Sequence, residues 1–126
     1  MSKYNISEAE WKVMVCLWEE PNLTLKQIAD KLQETNWSYT TIRTLVTRLK
    51  EKGVIEADKS SSSSFRYYPV APEKECKIEE TKSFLTRVFD GSISMMLSTL
   101  AKQEKLSKEE VAELKKVIES IDGGEK

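Results

Sequence analysis

The sequence contains no histidine, which excludes several common kinds of catalytic site. Nucleophilic systems built on serine or cysteine use histidine as their base, and the common zinc sites use it as a ligand. The four glycines form no glycine-rich phosphate loop. Catalysis would rely on carboxylates or lysines alone, and no pair of these has a setting that suggests it. We therefore expect a protein that is not an enzyme and needs no cofactor or metal.

Cysteine and long apolar segments are also scarce. The chain has no run of about 18 apolar residues, which a membrane-spanning helix needs, and no signal peptide. These absences predict a cytoplasmic protein without direct membrane insertion, whose two cysteines are free thiols. Cys16 lies in an apolar helix and is predicted to be in the core. Cys76 lies in a charged segment and is predicted to be exposed or at a subunit contact.

Neither sign of charge is in clear excess, since 20 Lys and Arg oppose 21 Asp and Glu. The distribution is uneven, however. Residues 36–68 contain six basic and three acidic residues, and the remainder contains 14 basic and 18 acidic ones. This pattern indicates a modestly basic patch on an acidic protein, which is typical of a small nucleic-acid-binding surface.

The segment from Trp37 to Gly53 is the most informative part of the chain, because it predicts one helix with two unlike faces. Its apolar residues recur at the spacing of a core-facing stripe, and they are Ile42, Leu45, Val46 and Leu49. The opposite face carries hydroxyl and guanidinium groups, on Thr40, Arg43, Thr44, Thr47 and Arg48. Such a surface suits the acceptor-rich floor and phosphate walls of a DNA major groove.

Capping boxes mark the starts of several helices. In each, a Ser or Thr side chain and a Glu or Gln three residues later bind each other's backbone amides. The boxes join Ser7 to Glu10, Thr24 to Gln27, and Ser107 to Glu110. The first predicts a helix that Pro21 ends, and the second a shorter helix before a break at residues 35–36. Ser38 caps the third helix, which Gly53 ends.

Two extended runs follow, at residues 54–59 and 65–70, joined by five serines at 60–64. Alternating aromatic residues in the second run predict a strand with one packed face, and the serines predict a flexible hairpin tip. Three helices and a hairpin form the order of a winged helix-turn-helix. We therefore predict a mainly α fold whose residues 1–71 are a winged-helix DNA-binding domain.

Residues 72–126 predict three further amphipathic helices, at about 72–90, 93–101 and 107–123. This lobe is too short to build a convincing core alone, because small domains bury a low fraction of their surface. The same lobe of a second subunit is the simplest partner. We therefore predict a helical homodimerisation domain with the contact residues Phe84, Leu85, Val88, Met96, Leu97, Leu100, Leu114 and Ile118.

The predicted DNA-facing residues are Ser38, Thr40, Thr41, Arg43, Thr44, Arg48, Lys59 and Arg66. Arg43 should read a base edge, with guanine as its natural partner. Ser38 and Thr41 should place the start of the helix on a phosphate, while Arg48 and the two hairpin cations should contact other phosphates. The expected partner is double-stranded operator DNA.

Other interpretations stay open at this point. Taken alone, residues 38–52 suit an ordinary amphipathic surface helix. A winged helix can also serve protein–protein contact alone, with the acidic C-terminal lobe as adaptor. A small-molecule-responsive repressor would need a pocket in that lobe, where the sequence shows no convergent polar groups. The Thr and Arg content of the outward face and the cations of the hairpin favour DNA binding.

The stretch from Trp37 to Gly53, written Trp-Ser-x-x-Thr-Ile-Arg-Thr-Leu-x-Thr-Arg-Leu-x-x-Lys-Gly, resembles the penicillinase-repressor family (BlaI/MecI/CopY). The likeness begins in the segment from Ile6 to Met14 and continues through Phe65-x-Tyr67-Tyr68 and Leu106-Ser107-x-Glu109-Glu110, so it covers nearly the whole chain. The resemblance implies a homodimeric repressor that binds a dyad-symmetric operator and controls resistance or stress genes. It also implies a membrane sensor metalloprotease as a partner, through which the repressor is cleaved in its C-terminal lobe.

Three departures from the family pattern are visible. Tyr39-Thr40 stands where the family commonly has Pro-Lys, which should change operator preference. Ser98-Thr99 aligns with the Asn-Phe bond cleaved in β-lactam-responsive members, so the candidate proteolytic site has different residues. The copper-responsive branch carries a C-terminal Cys-x-Cys pair, which this chain lacks, and copper sensing is therefore not expected.

Overall fold

The computed structural model describes residues 4–60, 64–103 and 106–124. Within these residues the chain forms six α-helices and three short strands. In chain order they are α1 (Glu8–Glu19), β1 (Leu23–Thr24), α2 (Leu25–Lys31), a 3-10 turn (Gln33–Thr35), α3 (Tyr39–Glu51), β2 (Ile55–Asp58), β3 (Arg66–Pro69), α4 (Glu73–Phe89), α5 (Ile93–Gln103) and α6 (Lys108–Gly124). The predicted winged helix followed by three helices is confirmed. None of the described helices is long and apolar enough to cross a membrane.

The capping boxes start the helices where the sequence predicts. Ser7 Oγ accepts the Glu10 amide at 3.1 Å, and the Glu10 carboxylate accepts the Ser7 amide at 2.9 Å. Reciprocal pairs of the same kind open α2 and α6. Each box satisfies amides that the first turn of a helix leaves without a partner. These starts depend on residues three apart, so the sequence alone is enough to locate them.

The end of α3 is set by Gly53, as predicted. Gly53 has a φ of +79°, which side-chain-bearing residues rarely adopt. Its amide donates to the Lys50 carbonyl, and the Val54 amide donates to the Leu49 carbonyl. This pair of bonds is the Schellman motif, and it turns the chain directly into the hairpin.

The hairpin belongs to a three-stranded antiparallel sheet with the order β1-β3-β2. Leu23 pairs with Tyr67, and Thr24 pairs with Arg66. Strand β1 was not predicted, because its two residues coincide with the capping box of α2 and carry no alternation. Of the predicted serine tip, residues 61–63 lie outside the described part of the chain.

The chain divides into two compact units, Met1–Ser83 and Phe84–Lys126. The helix α4 therefore contributes its first part to one unit and its last part to the other. The sequence predicts two separately folding domains with a boundary after residue 71. The two compact units do not test separate folding, so that boundary stays a prediction.

The first unit has a continuous apolar core between its helices and the sheet. Val13, Met14 and Leu17 of α1 face the buried stripe of α3 across it. Trp37, just before α3, is partly buried and packs against the same cluster. The Trp18 indole N–H donates to the Ala71 carbonyl at 3.0 Å. This bond fastens the chain leaving the hairpin to α1.

The two cysteines are free thiols, as predicted, and both are buried. Cys16 lies in the core, which confirms its prediction. The prediction for Cys76 is wrong, because its side chain is only 2% exposed and joins the core of the first unit. The start of α4 packs against that core, and the charged neighbours of Cys76 point elsewhere. Burial raises the pKa of the Cys76 thiol.

The second unit has few covered side chains. Gly91, at a φ of +82°, donates its amide to the Leu85 carbonyl and breaks α4 from α5. The Phe84 and Phe89 rings meet edge to face with centroids 5.9 Å apart. Among the described side chains of this unit, Leu85 alone is buried. Most of its apolar residues are thus in contact with solvent in the single chain.

Candidate nucleic-acid interface

The helix α3 has the two faces that its sequence predicts. Its stripe of Ile42, Leu45, Val46 and Leu49 is buried. The opposite face is exposed along its length, at Thr40, Thr41, Arg43, Thr44, Thr47 and Arg48. One face of the helix is thus fixed by the core, so the other is held rigidly toward solvent. The α3 members of the predicted DNA-facing set all lie on this exposed side or at its N-terminal cap.

Several hydroxyl groups of this face are already engaged within the helix. Ser38 Oγ accepts the Thr41 amide at 3.1 Å and lies 3.0 Å from Thr41 Oγ1. Thr44 Oγ1 donates to the Thr40 carbonyl at 3.0 Å. The Thr41 amide is therefore not available to a phosphate at the start of the helix. The amides of Tyr39 and Thr40 precede it and remain the backbone donors nearest the predicted phosphate position.

A cleft of about 580 Å3 lies between α3 and the hairpin. Arg43 and Thr47 line it from the helix, and Phe65 and Tyr67 line it from the hairpin. Tyr39 is 51% exposed and also lines the cleft, at the position where the family pattern is not kept. The sequence analysis noted Tyr39 only as a departure from the family pattern and did not predict that it lines this cleft. The N-cap residue Ser38 was the signal that places Tyr39 in the first turn of α3.

The two predicted cations of the hairpin are in different settings. The Lys59 ammonium lies 5.4 Å from the centre of the Phe65 ring. The Arg66 guanidinium donates to the Asn22 carbonyl at 3.1 Å, and the side chain is otherwise exposed. Arg66 therefore ties the hairpin to the loop before α2, with further N–H groups left over for a phosphate.

The hairpin also carries a carboxylate close to these cations. Asp58 pairs with Arg66 across the sheet, and its carboxylate accepts the Ser60 amide at 2.9 Å. This hydrogen bond, and to a smaller extent the Arg66 charge, lowers the pKa of Asp58. An ionised Asp58 repels phosphate, so the hairpin is less basic than its two cations alone suggest.

Lys52, at the end of α3, does not belong to the exposed face. Its ammonium lies 2.5 Å from Glu10 Oε1 and 2.7 Å from the Asn5 carbonyl oxygen. Glu10 is 2% exposed, so this is a partly buried ion pair between the end of α3 and the start of α1. The sequence showed Lys52 only as part of the motif. Its inward direction depends on residues 42 positions away.

The predicted dimerisation residues lie in the second unit, at the end of α4 and along α5 and α6. Phe84, Val88, Leu100 and Ile118 are 39–57% exposed, and Met96, Leu97 and Leu114 are half-buried. Leu85 differs, since it is buried in the single chain. Ser98 and Thr99, the candidate proteolytic site, are exposed within α5, where Thr99 Oγ1 donates to the Met95 carbonyl.

The architecture and the exposed face together define a class of protein. Three helices lead into an antiparallel hairpin, and the third helix presents threonines and arginines beside it. This is a winged helix whose free surface has the chemistry of a recognition helix.

Comparison with known proteins agrees with this class. The penicillinase repressor family matches residues 6–120 of the chain. The methicillin resistance regulatory protein MecI of Staphylococcus aureus (strain N315) is 34% identical over 116 residues, which are 91% of this chain and 94% of that protein. A penicillinase repressor of Staphylococcus aureus is 33% identical over 117 residues, 92% of each chain. The solution structure of the DNA-binding domain of the repressor BlaI superposes with a TM-score of 0.52 at 31% identity, over 60% of this chain and 93% of that one.

The chain belongs to the penicillinase repressor family. Its relatives are transcriptional repressors and not enzymes, in agreement with the prediction from the absent histidines.

Proposed function

We propose that this transcriptional repressor binds a dyad-symmetric operator as a homodimer, with α3 of each subunit in a major groove. The main support for the proposal is the solvent-exposed face of α3, which is rich in Thr and Arg. The opposite face of the helix is buried in the core, which fixes the orientation of the exposed one. Arg43 is the proposed base reader, and Ser38 and Thr41 order the start of the helix. Arg48, Lys59 and Arg66 are the proposed phosphate contacts.

The homodimer is supported by the surface of the second unit. Its exposed large apolar residues include Val88, Ile93, Met95, Leu100 and Ile118. Solvent contact of so much apolar surface is unfavourable for a monomer, and a symmetric partner removes it from water. A dimer then presents two copies of α3 to two half-sites, spaced by a turn of DNA or a multiple of it.

The proposed circuit is one of β-lactam or cell-wall-stress resistance. The names of the relatives, a methicillin resistance regulatory protein and a penicillinase repressor, support the β-lactam part. Because a repressor must be in the same compartment as the DNA it binds, the proposed location is the cytoplasm. A membrane sensor metalloprotease is the proposed partner in induction, with Ser98–Thr99 as the proteolytic site. That bond lies inside α5, so cleavage needs local opening of the helix. Intact-mass measurement of the repressor from induced cells tests it, since an uncut chain during induction contradicts this route.

Footprinting on the DNA upstream of the protein's own gene tests operator binding. Two protected half-sites related by a dyad are expected, and affinity should fall steeply with salt, because bound phosphates release counterions. Arg43→Ala should weaken binding by about 1–3 kcal/mol and relax the preference at one base pair of each half-site. Lys12→Ala is the matched control, because it removes one positive charge from an exposed position on α1.

The outcomes separate the proposal from its rival, an adaptor that binds only protein. Unaltered sequence preference in Arg43→Ala overturns the role of Arg43 alone. Absence of any protected site, with equal weak binding to all DNA, overturns the repressor mechanism proposed here.

A further inference from the structure

The hydroxyl of Thr44 points back along α3 instead of outward. Thr44 is exposed and follows Arg43 directly. Its Oγ1 donates to the carbonyl of Thr40, one turn earlier, at 3.0 Å. A threonine hydroxyl has one hydrogen, and here that hydrogen is used by the helix. The branch of the side chain that the helix leaves unengaged is the methyl group.

The major groove contains a matching apolar group. Thymine places its C5 methyl on the groove floor, and threonine methyl groups are among the side-chain groups that contact it. With its O–H directed at Thr40, Thr44 has no hydrogen to offer the N7, O6 or O4 acceptors of the bases. At the helix start, the Ser38 and Thr41 hydroxyls form a hydrogen bond with each other.

We propose that Thr44 is a specificity-determining residue that recognises a thymine by contact between the two methyl groups. The inference rests on the proposed function, because it requires α3 to lie in the major groove. It assigns thymine recognition to an apolar contact, next to the position that Arg43 reads by hydrogen bonds. One thymine in each half-site is therefore the ligand of Thr44.

Two substitutions separate the branches of the side chain. Thr44→Val keeps a β-branched residue with the methyl and removes the O–H, whereas Thr44→Ser keeps the O–H and removes the methyl. Binding to the footprinted operator is measured by fluorescence anisotropy. Thr44→Val should bind within about twofold of the parent. Thr44→Ser should lose about fourfold per half-site, the value of one methyl removed from water.

Modified operators supply the other half of a double-mutant cycle. Each thymine is replaced in turn by deoxyuridine, which lacks only the C5 methyl. At one thymine per half-site the replacement should cost the parent and Thr44→Val about fourfold. The same replacement should cost Thr44→Ser almost nothing, because the contact is already lost. Unfolding curves of the variants establish that α3 is equally stable in them.

The results of these experiments test the methyl contact separately from the proposed operator binding. If Thr44→Val binds as weakly as Thr44→Ser or weaker, or if no deoxyuridine position couples to residue 44, the methyl contact is wrong while operator binding stands. If the parent protein shows no sequence preference on any fragment, both the inference and the proposed function are overturned.

Discussion

At the scale of single residues, Glu10 both caps the start of α1 and forms an ion pair with Lys52. One of its carboxylate oxygens accepts the Ser7 amide, which starts α1, and the Lys52 ammonium, which follows the end of α3. Burial by itself raises the pKa of Glu10. The hydrogen bonds from Lys52 and Ser7 outweigh that effect, so the pKa lies below its ordinary value. The end of α3 is thereby held against the start of α1.

Lys52→Met should destabilise the protein by about 3 kcal/mol, because it leaves the Glu10 carboxylate buried without its cation. The value is at the lower end for a broken buried pair, since the Lys52 side chain is 29% exposed. Chemical denaturation measures the change. Lys50→Met is the control on the same helix, at an exposed position, and should change stability little. Equal losses in both variants would show that the ion pair adds nothing.

The Glu10 pair also predicts a response to acid. Because the folded-state pKa is below the unfolded one, the pair stabilises the fold above the unfolded value. That contribution disappears as the pH falls from about 4.5 through the folded pKa. The free energy of unfolding should therefore fall less steeply over this range in Glu10→Gln than in the parent. Parallel curves for the two proteins would exclude a Glu10 contribution.

At the scale of elements, α3 is defined by its two ends. Ser38 accepts an amide at its start, and Gly53 takes a left-handed conformation at its end. A Cβ at Gly53 would meet nothing within 4 Å, so the glycine is required by its backbone angle and not by space. The position therefore separates conformational strain from packing.

Gly53→Ala should cost about 1 kcal/mol, the strain of a left-handed residue with a Cβ. Gly53→Asn should cost less, because asparagine tolerates this conformation better. Thermal unfolding of both variants measures the difference. The order would be reversed if the site were limited by packing, since asparagine is the larger side chain.

The elements also show which structural features local sequence patterns can predict. Capping boxes, the stripe of α3 and its terminal glycine involve residues a few positions apart, so the sequence predicts them. Strand β1 has no such signal, because it exists only through pairing with β3, more than 40 residues later. The exposed face of α3 was predicted, whereas the direction of the Thr44 hydroxyl was not. A Thr44 hydroxyl directed at DNA and one directed at the helix backbone are both compatible with the same sequence.

At the scale of the whole molecule, the two units differ in how much apolar surface they cover. The first has a filled core from Val13 to Cys76, and the described part of the second buries only Leu85. This contrast is expected when the second unit completes its core in a dimer.

Ile118→Asp should give monomers and weaken operator binding strongly, because it places a charge in the proposed interface. Ile118 is 57% exposed in the single chain, so the subunit fold should survive. Val70→Asp, at a residue 52% exposed in the first unit, is the matched control. Sedimentation measures the oligomeric state. Dimers of Ile118→Asp, or monomers of both variants, would contradict the assigned interface.

The sequence by itself determined the α-helices, three capping boxes, the hairpin and the resemblance to the penicillinase repressor family. These follow from residue types and from spacings of three or four residues, within reach of one helical turn. Tertiary structure alone decided the burial of Cys76, the inward turn of Lys52 and the bond between Trp18 and Ala71, which lie 53 positions apart. Such contacts depend on which surfaces meet when the elements pack together. A local sequence pattern cannot predict them, because the residues involved are far apart in the chain.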